Sequence, residues 1–248
     1  MRHATIIERL RRDGRVEIDD LAQQFGTSEI TVRRDLEHLA ETGVLRRVRG
    51  GAISLLLRGE GPGFSLRAHE DSRVKERMAA AVATLIRDGE AIVLDGGTSG
   101  LAVARALAGK HVTVVPLSLQ GATALSDHSS IRLLLPGGDV RPGEQSFTGA
   151  IAERTIASLR FDTAIVTCCG FSPTHGVTAF DVQDAAIKRA AIDSANRIIL
   201  VAESTKFART AMAIVCAAKD LDIVVTDRDA PAEMTAQLES LGVEIIRV

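Results

Sequence analysis

The chain has no tryptophan and no tyrosine, and phenylalanine supplies only seven of its 248 residues. With 46% hydrophobic residues there is still material for a sizeable core, and the length suits one large or two ordinary domains. That core must come from Ala, Val, Ile and Leu, which suits a buried parallel sheet. The lack of aromatic platforms makes single-stranded nucleic acid a poor partner, because bases have little to stack on. Cysteine is also scarce. Cys168, Cys169 and Cys216 form neither a metal-binding spacing nor a disulfide framework. The adjacent pair reads as small residues at a strand end rather than a redox couple. No apolar run is long enough to cross a membrane and no signal peptide is recognisable, so the expectation is a cytoplasmic protein without a membrane partner.

Lysine is missing from the first 74 residues, where arginine carries the positive charge apart from histidine. Arginine forks pair bidentately with phosphate and guanine, whereas lysine is a point charge. A codon bias toward Arg is the competing explanation. The net charge of −2 excludes a general polycation, so any nucleic-acid contact must be local.

Residues 2–13 place Ile6, Ile7 and Leu10 on one helical face, ended by Gly14. Val16 and Ile18 alternate with charged residues. Asp19 or Asp20 is the expected cap of a second helix reaching Phe25, with Leu21, Ala22 and Phe25 inward. Gly26-Thr27 is a turn and Ser28 the next N-cap. Ile30, Val32, Leu36 and Leu39 are the expected buried face of a third helix, ended by Gly43. Residues 44–52 read as a two-stranded wing. Thr31, Arg33 and Arg34 then lie within two turns of the third helix's start, where a groove-reading helix needs small polar and guanidinium groups. Arg46, Arg47 and Arg49 fall on the wing. The expected DNA contacts are therefore Ser28, Thr31, Arg33, Arg34, Arg46, Arg47 and Arg49. The competing reading is an ordinary three-helix bundle with exposed arginines.

Three domain-level segments follow: a DNA-binding domain over 1–53, a Gly/Pro-broken linker over 54–70, and an α/β domain over 71–248. In the last, strands alternate with helices, the grammar of a mostly parallel, Rossmann-like sheet. Helices are expected at 71–87, 101–108, 118–126, 149–159, 182–195 and 231–241. Strands are expected at 91–94, 112–115, 131–135, 161–167, 197–202, 221–225 and 243–247.

The segment Asp95-Gly96-Gly97-Thr98-Ser99-Gly100 follows a strand and opens a helix. Its backbone N–H groups and hydroxyls suit a phosphate. It is neither a Walker A loop nor a dinucleotide fingerprint, so no nucleotide cofactor is expected; a tight turn needing glycines is the alternative. Lys206 also follows a strand and reaches the carboxyl-end crevice where open α/β sheets bind ligands. Gly137 and Gly138, with Asp139, supply another wall. Lys188 enters the candidate list as a cation, although a solvated helix lysine is the simpler reading. His175 and Asp181 are weaker loop candidates. The expected effector contacts are thus Asp95, Gly96, Gly97, Thr98, Ser99, Gly137, Gly138, Lys188 and Lys206, with no metal and no catalytic residues.

The stretch ITVRRDLEHLAETGVLRRVRGGA resembles the recognition helix and wing of the DeoR family of bacterial transcriptional regulators. The likeness continues through Asp95-Gly96-Gly97-Thr98-Ser99, Leu135-Pro136-Gly137-Gly138, Phe147-Thr148-Gly149, Glu203-Ser204-Thr205-Lys206-Phe207 and Ile223-Val224-Val225-Thr226-Asp227. It implies a winged helix-turn-helix and a sensor similar in fold to ribose-5-phosphate isomerase and glucosamine-6-phosphate deaminase. It also implies repression of a carbohydrate-catabolism operon and release from operator DNA by a phosphorylated sugar or related sugar acid. Three positions depart from the family pattern. Pro116-Leu117 replaces Thr-Asn, placing apolar groups where an amide would meet a ligand. Cys168-Cys169-Gly170 stands where small polar residues are usual, and Arg49 replaces a common His.

The resulting expectation is a non-enzymatic regulator of double-stranded DNA, acting as a homo-oligomer, dimer or tetramer, that spans two half-sites. The rival is a sugar-phosphate isomerase or deaminase carrying a DNA-binding module, with Asp95, Glu203 and Lys206 in acid–base roles.

Overall fold

The computed structural model describes residues 2–41, 44–54, 64, 67, 72–207 and 209–248. The chain divides into two compact units, Met1–Glu70 and Asp71–Val248. The expected linker over 54–70 falls outside the described residues except for Ser54, Phe64 and Arg67, as does the expected helix stop at Gly43.

In the first unit, helix α1 (Arg2–Asp13) is followed by β1 (Arg15–Glu17), α2 (Ile18–Phe25), α3 (Glu29–Glu41), β2 (Leu45–Val48) and β3 (Gly51–Ser54). The strands pair antiparallel in the order β1-β3-β2, so the wing has three strands, one more than expected. Ile6, Leu10, Val16, Leu21, Val32, Leu36, Leu39, Leu45 and Ala52 make one buried cluster between helices and wing. Helix α2 begins at Ile18, earlier than expected. Its N-cap is Glu17 without a side-chain cap, and Asp19 and Asp20 instead lie in the first turn, where they complement the helix dipole.

One expectation is overturned here. Ile30 is 66% exposed and is not part of the buried face. The buried stripe of α3 is Val32, Asp35, Leu36 and Leu39. At about 100° per residue, Ile30 stands about 200° away from Val32.

The second unit is built on seven parallel strands. Its elements begin with α4 (Ser72–Leu85), β4 (Ala91–Leu94), α5 (Gly97–Ala106), β5 (Val112–Pro116), α6 (Leu119–Ser126), β6 (Ile131–Leu133), β7 (Asp139–Val140) and β8 (Phe147–Thr148). Then come α7 (Gly149–Ala157), β9 (Phe161–Thr167), β10 (Gly170–Ser172), β11 (Gly176–Ala179), α8 (Val182–Asp193), β12 (Ala195–Val201), β13 (Ala213–Cys216), β14 (Ile223–Thr226), α9 (Ala232–Ser240) and β15 (Glu244–Arg247). The large sheet has the order β15-β14-β12-β9-β4-β5-β6. From β4 the chain moves outward to β5 and β6, then returns to the other side of β4 as β9, so the strand order reverses there. Such a reversal opens a crevice at the carboxyl ends of the strands.

Val, Ile and Leu alternate into both faces of this sheet. Ile92, Leu94, Val114, Ile165, Ile199 and Val225 pack under α4 and α5. Val93, Val115, Phe161 and Ala164 pack with Ile156, Ile187 and Ala191 on the other side. Two smaller sheets were not expected from the sequence: antiparallel β10-β11-β13 and the β7-β8 pair.

Candidate functional site

Ser28 opens α3, with its hydroxyl accepting from Thr31 N at 3.3 Å and lying 3.0 Å from Thr31 Oγ1. Arg33 and Arg34 are exposed on the next turn. Arg33 donates to Glu29 at 3.0 Å one turn back, whereas Arg34 has no ion pair among the described residues. On the wing, Arg46, Arg47 and Arg49 are all exposed, and Arg47 donates to Glu37 of α3. Exposed pairs of this kind are weak and readily exchanged for a phosphate. The helix is held from behind by Asp35. That carboxylate accepts from Arg2 Nε at 2.8 Å and lies 3.0 Å from His3 Nε2. Burial works against its charge, but the hydrogen bonds from Arg2 and His3 prevail and hold its pKa below the ordinary value. Arg2, His3 and Asp35 thus brace α3 from its buried side, away from its exposed arginines, a role that carries no signal in the sequence.

The second candidate site lies along the carboxyl ends of β4, β5, β9 and β12. Asp95 follows β4 and is almost fully buried. Its Oδ1 accepts from Gly96 N at 2.7 Å. Its Oδ2 accepts from Thr167 N at 2.8 Å and Thr167 Oγ1 at 2.7 Å, which ties the end of β4 to the end of β9. Lys188 of α8 completes the knot. Its Nζ is 3.1 Å from Asp95 Oδ2 and 3.0 Å from Asp184 Oδ2, and it donates to Thr167 O at 3.3 Å.

Lys188 is therefore not a solvated helix lysine: its side chain is only 5% exposed. Three acceptors meet the three N–H groups of an ammonium, so no donor remains for a ligand. Burial alone lowers a lysine's pKa, yet the Asp184 and Asp95 carboxylates outweigh it and hold Lys188 well above its ordinary value. Asp95 is shifted upward, first by burial and then by the nearby charge of Asp184 against the pull of Lys188. Asp95 accordingly anchors the loop, and its carboxylate is already committed to protein donors.

Gly97, Thr98 and Ser99 form the first turn of α5, which starts four residues before the expected 101. Gly96 is the extended N-cap, Gly97 turns the chain with a positive φ of 74°, and Gly100 is required inside the helix by a close approach. A Cβ on Gly100 would sit 2.1 Å from the Asp95 carbonyl oxygen. The first-turn amides of Gly97, Thr98 and Ser99 have no acceptor within the helix. They point from the strand reversal with the dipole's positive end. Beside them, Ser118 caps α6 by accepting from Gly121 N at 3.1 Å. It also bridges to Ser146. Gln120 Oε1 and Ser146 Oγ are buried without a hydrogen-bond partner among the described residues. These neighbouring oxygens carry no sequence signature, since Ser and Gln are common in turns.

Lys206 follows β12 in the short turn Ser204–Lys206 and is half-buried. Its ammonium makes no hydrogen bond or ion pair among the described residues. Nearby, Lys75 and Glu203 form a buried pair at 3.8 Å. Cys168 follows β9 at the same edge, and burial pushes its thiol up to about 12 against the pull of Lys206. Gly137 and Gly138 both take positive φ, and Gly138 packs against the Thr148 carbonyl where a Cβ would lie 2.6 Å away. Leu117 does not face a ligand space. It is 1% exposed and packs with Val93, Val115 and Phe147 in the core. His175 is exposed, and Asp181 caps α8 by accepting from Gln183 N and Asp184 N. A separate depression of about 310 Å³ lies at the opposite, amino ends of β4 to β6, lined by residues including Gly89, His111 and Arg132.

Residues 2–56 match the DeoR-like helix-turn-helix domain, and residues 70–228 match the DeoR C-terminal sensor domain. The transcriptional repressor AccR of Agrobacterium fabrum is 31% identical, over 91% of this chain and 88% of that protein. The glycerol-3-phosphate regulon repressor of Escherichia coli strain K12 is 30% identical, over 98% and 97%. The repressor GlcR of Bacillus subtilis strain 168 is 29% identical, over 99% and 95%. Among solved structures, ribose 5-phosphate isomerase from Methanocaldococcus jannaschii aligns with a TM-score of 0.42 at 14% identity, over 56% of this chain and 55% of that one.

Proposed function

This chain belongs to the DeoR family of DNA-binding transcriptional regulators, and on that footing we propose that it represses a carbohydrate-catabolism operon and releases the operator when a phosphorylated sugar or related sugar acid binds. Ser28, Thr31, Arg33 and Arg34 contact DNA from α3, and Arg46, Arg47 and Arg49 from the wing. The effector's phosphate sits at the amide-rich start of α5, over Gly96, Gly97, Thr98 and Ser99, with Lys206 as counter-charge. Asp95 and Lys188 act by holding that turn in place, and Gly137 and Gly138 form a further wall. The regulator works in the cytoplasm as a homo-oligomer, dimer or tetramer, on two half-sites.

The observation that carries the effector reading is Lys206. Asp95 and Lys188 neutralise each other in a buried cluster and Lys75 faces Glu203, while Lys206 remains open at the same edge. The same neutralisation favours a sensor over an isomerase or deaminase. Carboxylates engaged with protein donors are poorly placed to move substrate protons. Release of DNA requires that the effector bind the DNA-incompetent state more tightly than the competent one.

The test is a thermal-shift screen of phosphorylated sugars and sugar acids, paired with operator binding by fluorescence anisotropy. One phosphorylated compound should stabilise the full chain by about 2.7 kcal/mol at 100 times its Kd and weaken operator binding. Its unphosphorylated counterpart should do neither, and Lys206→Gln should lose the response while keeping DNA affinity. An unchanged response in Lys206→Gln removes that residue from the site. Turnover of ribose 5-phosphate or glucosamine 6-phosphate would restore the enzyme reading.

A further inference from the structure

Ile30 is a β-branched apolar residue in the first turn of α3, yet it is 66% exposed. It shares one face with Arg33, Arg34 and Glu37, at the i, i+3, i+4 and i+7 spacing of a single helical surface. The remaining exposed residues of that face are charged, so Ile30 has no apolar neighbour on α3 to pack against. Its own helix places it between the Ser28 cap and the two arginines.

The N-terminal residues of a recognition helix approach base edges in the major groove. The apolar group displayed there is the thymine C5 methyl, which the other three bases lack. The surroundings of Ile30 also fit a duplex: Arg33 and Arg34 flank it on α3, and Arg46, Arg47 and Arg49 stand exposed on the wing. Arginines match phosphates and guanine edges. We propose that Ile30 packs on a thymine methyl and so specifies a T·A pair in the operator. The proposal rests on the recognition-helix assignment above and adds the base that this side chain selects. It also explains why an apolar residue is kept on a charged face: its stabilising burial occurs against DNA.

Random duplexes are selected with the full-length wild type, Ile30→Ala and Ile30→Gln, and each enriched pool is sequenced. The wild type should enrich a motif with thymine at one position that both variants lose, while the rest of the motif is retained. In the isolated operator, replacing that thymine by deoxyuridine removes only the methyl. It should weaken wild-type binding about fourfold, the equivalent of one buried carbon, and leave Ile30→Ala unchanged. Should either variant fail to fold, the uracil scan of wild-type binding decides alone: one methyl-sensitive position supports the proposal, and none overturns it. An unchanged thymine preference in Ile30→Ala overturns it while leaving the DNA-binding assignment intact. So does a change confined to oligomeric mass or effector response, which would assign Ile30 to a protein contact. If the wild type enriches no motif at all, the recognition-helix assignment itself falls.

Discussion

Lys188 Nζ stands 3.1 Å from Asp95 Oδ2, and both side chains are about 95% removed from solvent. One ammonium here serves two carboxylates and the Thr167 carbonyl, so the ends of β4 and β9 and helix α8 are fastened at a single atom. Lys188→Met would leave the buried Asp95 and the partly buried Asp184 without their counter-charge. Loss of one partner from a buried pair costs about 3–5 kcal/mol. Urea unfolding of the full chain should show a loss of that order. The double variant Lys188→Met with Asp95→Asn should lose much less than the sum of the two single changes, because the stranded charge is reduced. A Lys188→Met cost below about 1 kcal/mol would remove this cluster as a structural anchor.

The layered α/β architecture could be read from the chain because its strands are short runs of Val, Ile and Leu separated by helix-length segments. Ile92–Leu94 and Ile199–Val201 are buried on both faces, and such runs leave little ambiguity. The three-stranded β10-β11-β13 sheet was not legible. Gly170, Ser172 and Gly176 are turn-like residues, and their strand character comes from tertiary pairing. The helical start at Gly97 is not legible for a related reason: glycines suggest a loop, and only the positive φ of Gly97 and the approach of the Asp95 carbonyl to Gly100 show why they are needed. Lys188 reads as solvated from the sequence because its partners, Asp95 and Thr167, are distant in the chain. Asp184, at i−4, was the one local hint. Ile30 is different, since helical phase alone separates it from Val32, Leu36 and Leu39, whereas its apolar character alone suggests the core.

Gly100→Ala sets two effects against each other. Alanine favours a helix interior over glycine by about 0.5–1 kcal/mol. The new Cβ, however, would lie 2.1 Å from the Asp95 carbonyl oxygen, a backbone atom that cannot swing away. Overpacking of this kind costs about 1–3 kcal/mol, so the substitution should destabilise the sensor unit and weaken effector binding together. A variant as stable as wild type in urea unfolding would show that the β4–α5 turn adjusts freely.

Asp35 gives the helix-turn-helix unit a pH dependence with a defined sign. Its folded-state pKa lies below the ordinary 3.8 through its bonds to Arg2 and His3, against the opposing effect of burial. A depressed carboxylate stabilises the folded state above its unfolded pKa and loses that contribution as pH falls through the folded value. Asp35→Asn should therefore reduce stability at neutral pH, with the gap to wild type closing as pH drops below 3.8. Chemical unfolding of both proteins across that range measures the gap. A gap that stays constant would mean that Asp35 acts through shape rather than charge.

Glu37 and Arg47 link α3 to the wing, and under the proposed DNA contact a phosphate competes for that arginine. Both side chains are exposed, so the pair contributes about 0.2–1 kcal/mol. If Arg47 contacts a phosphate, Glu37→Gln should free it and remove a negative charge beside it, tightening operator binding by up to about fivefold. Arg47→Ala should act in the opposite direction and reduce the log–log salt slope by about 0.9, the counterion release of one phosphate contact. Anisotropy titrations at several salt concentrations separate the two effects. If Arg47→Ala leaves slope and affinity unchanged, Arg47 serves only to brace the wing against Glu37. In that case Glu37→Gln should loosen the wing and weaken binding instead, so the direction of the Glu37→Gln effect independently checks the role of Arg47.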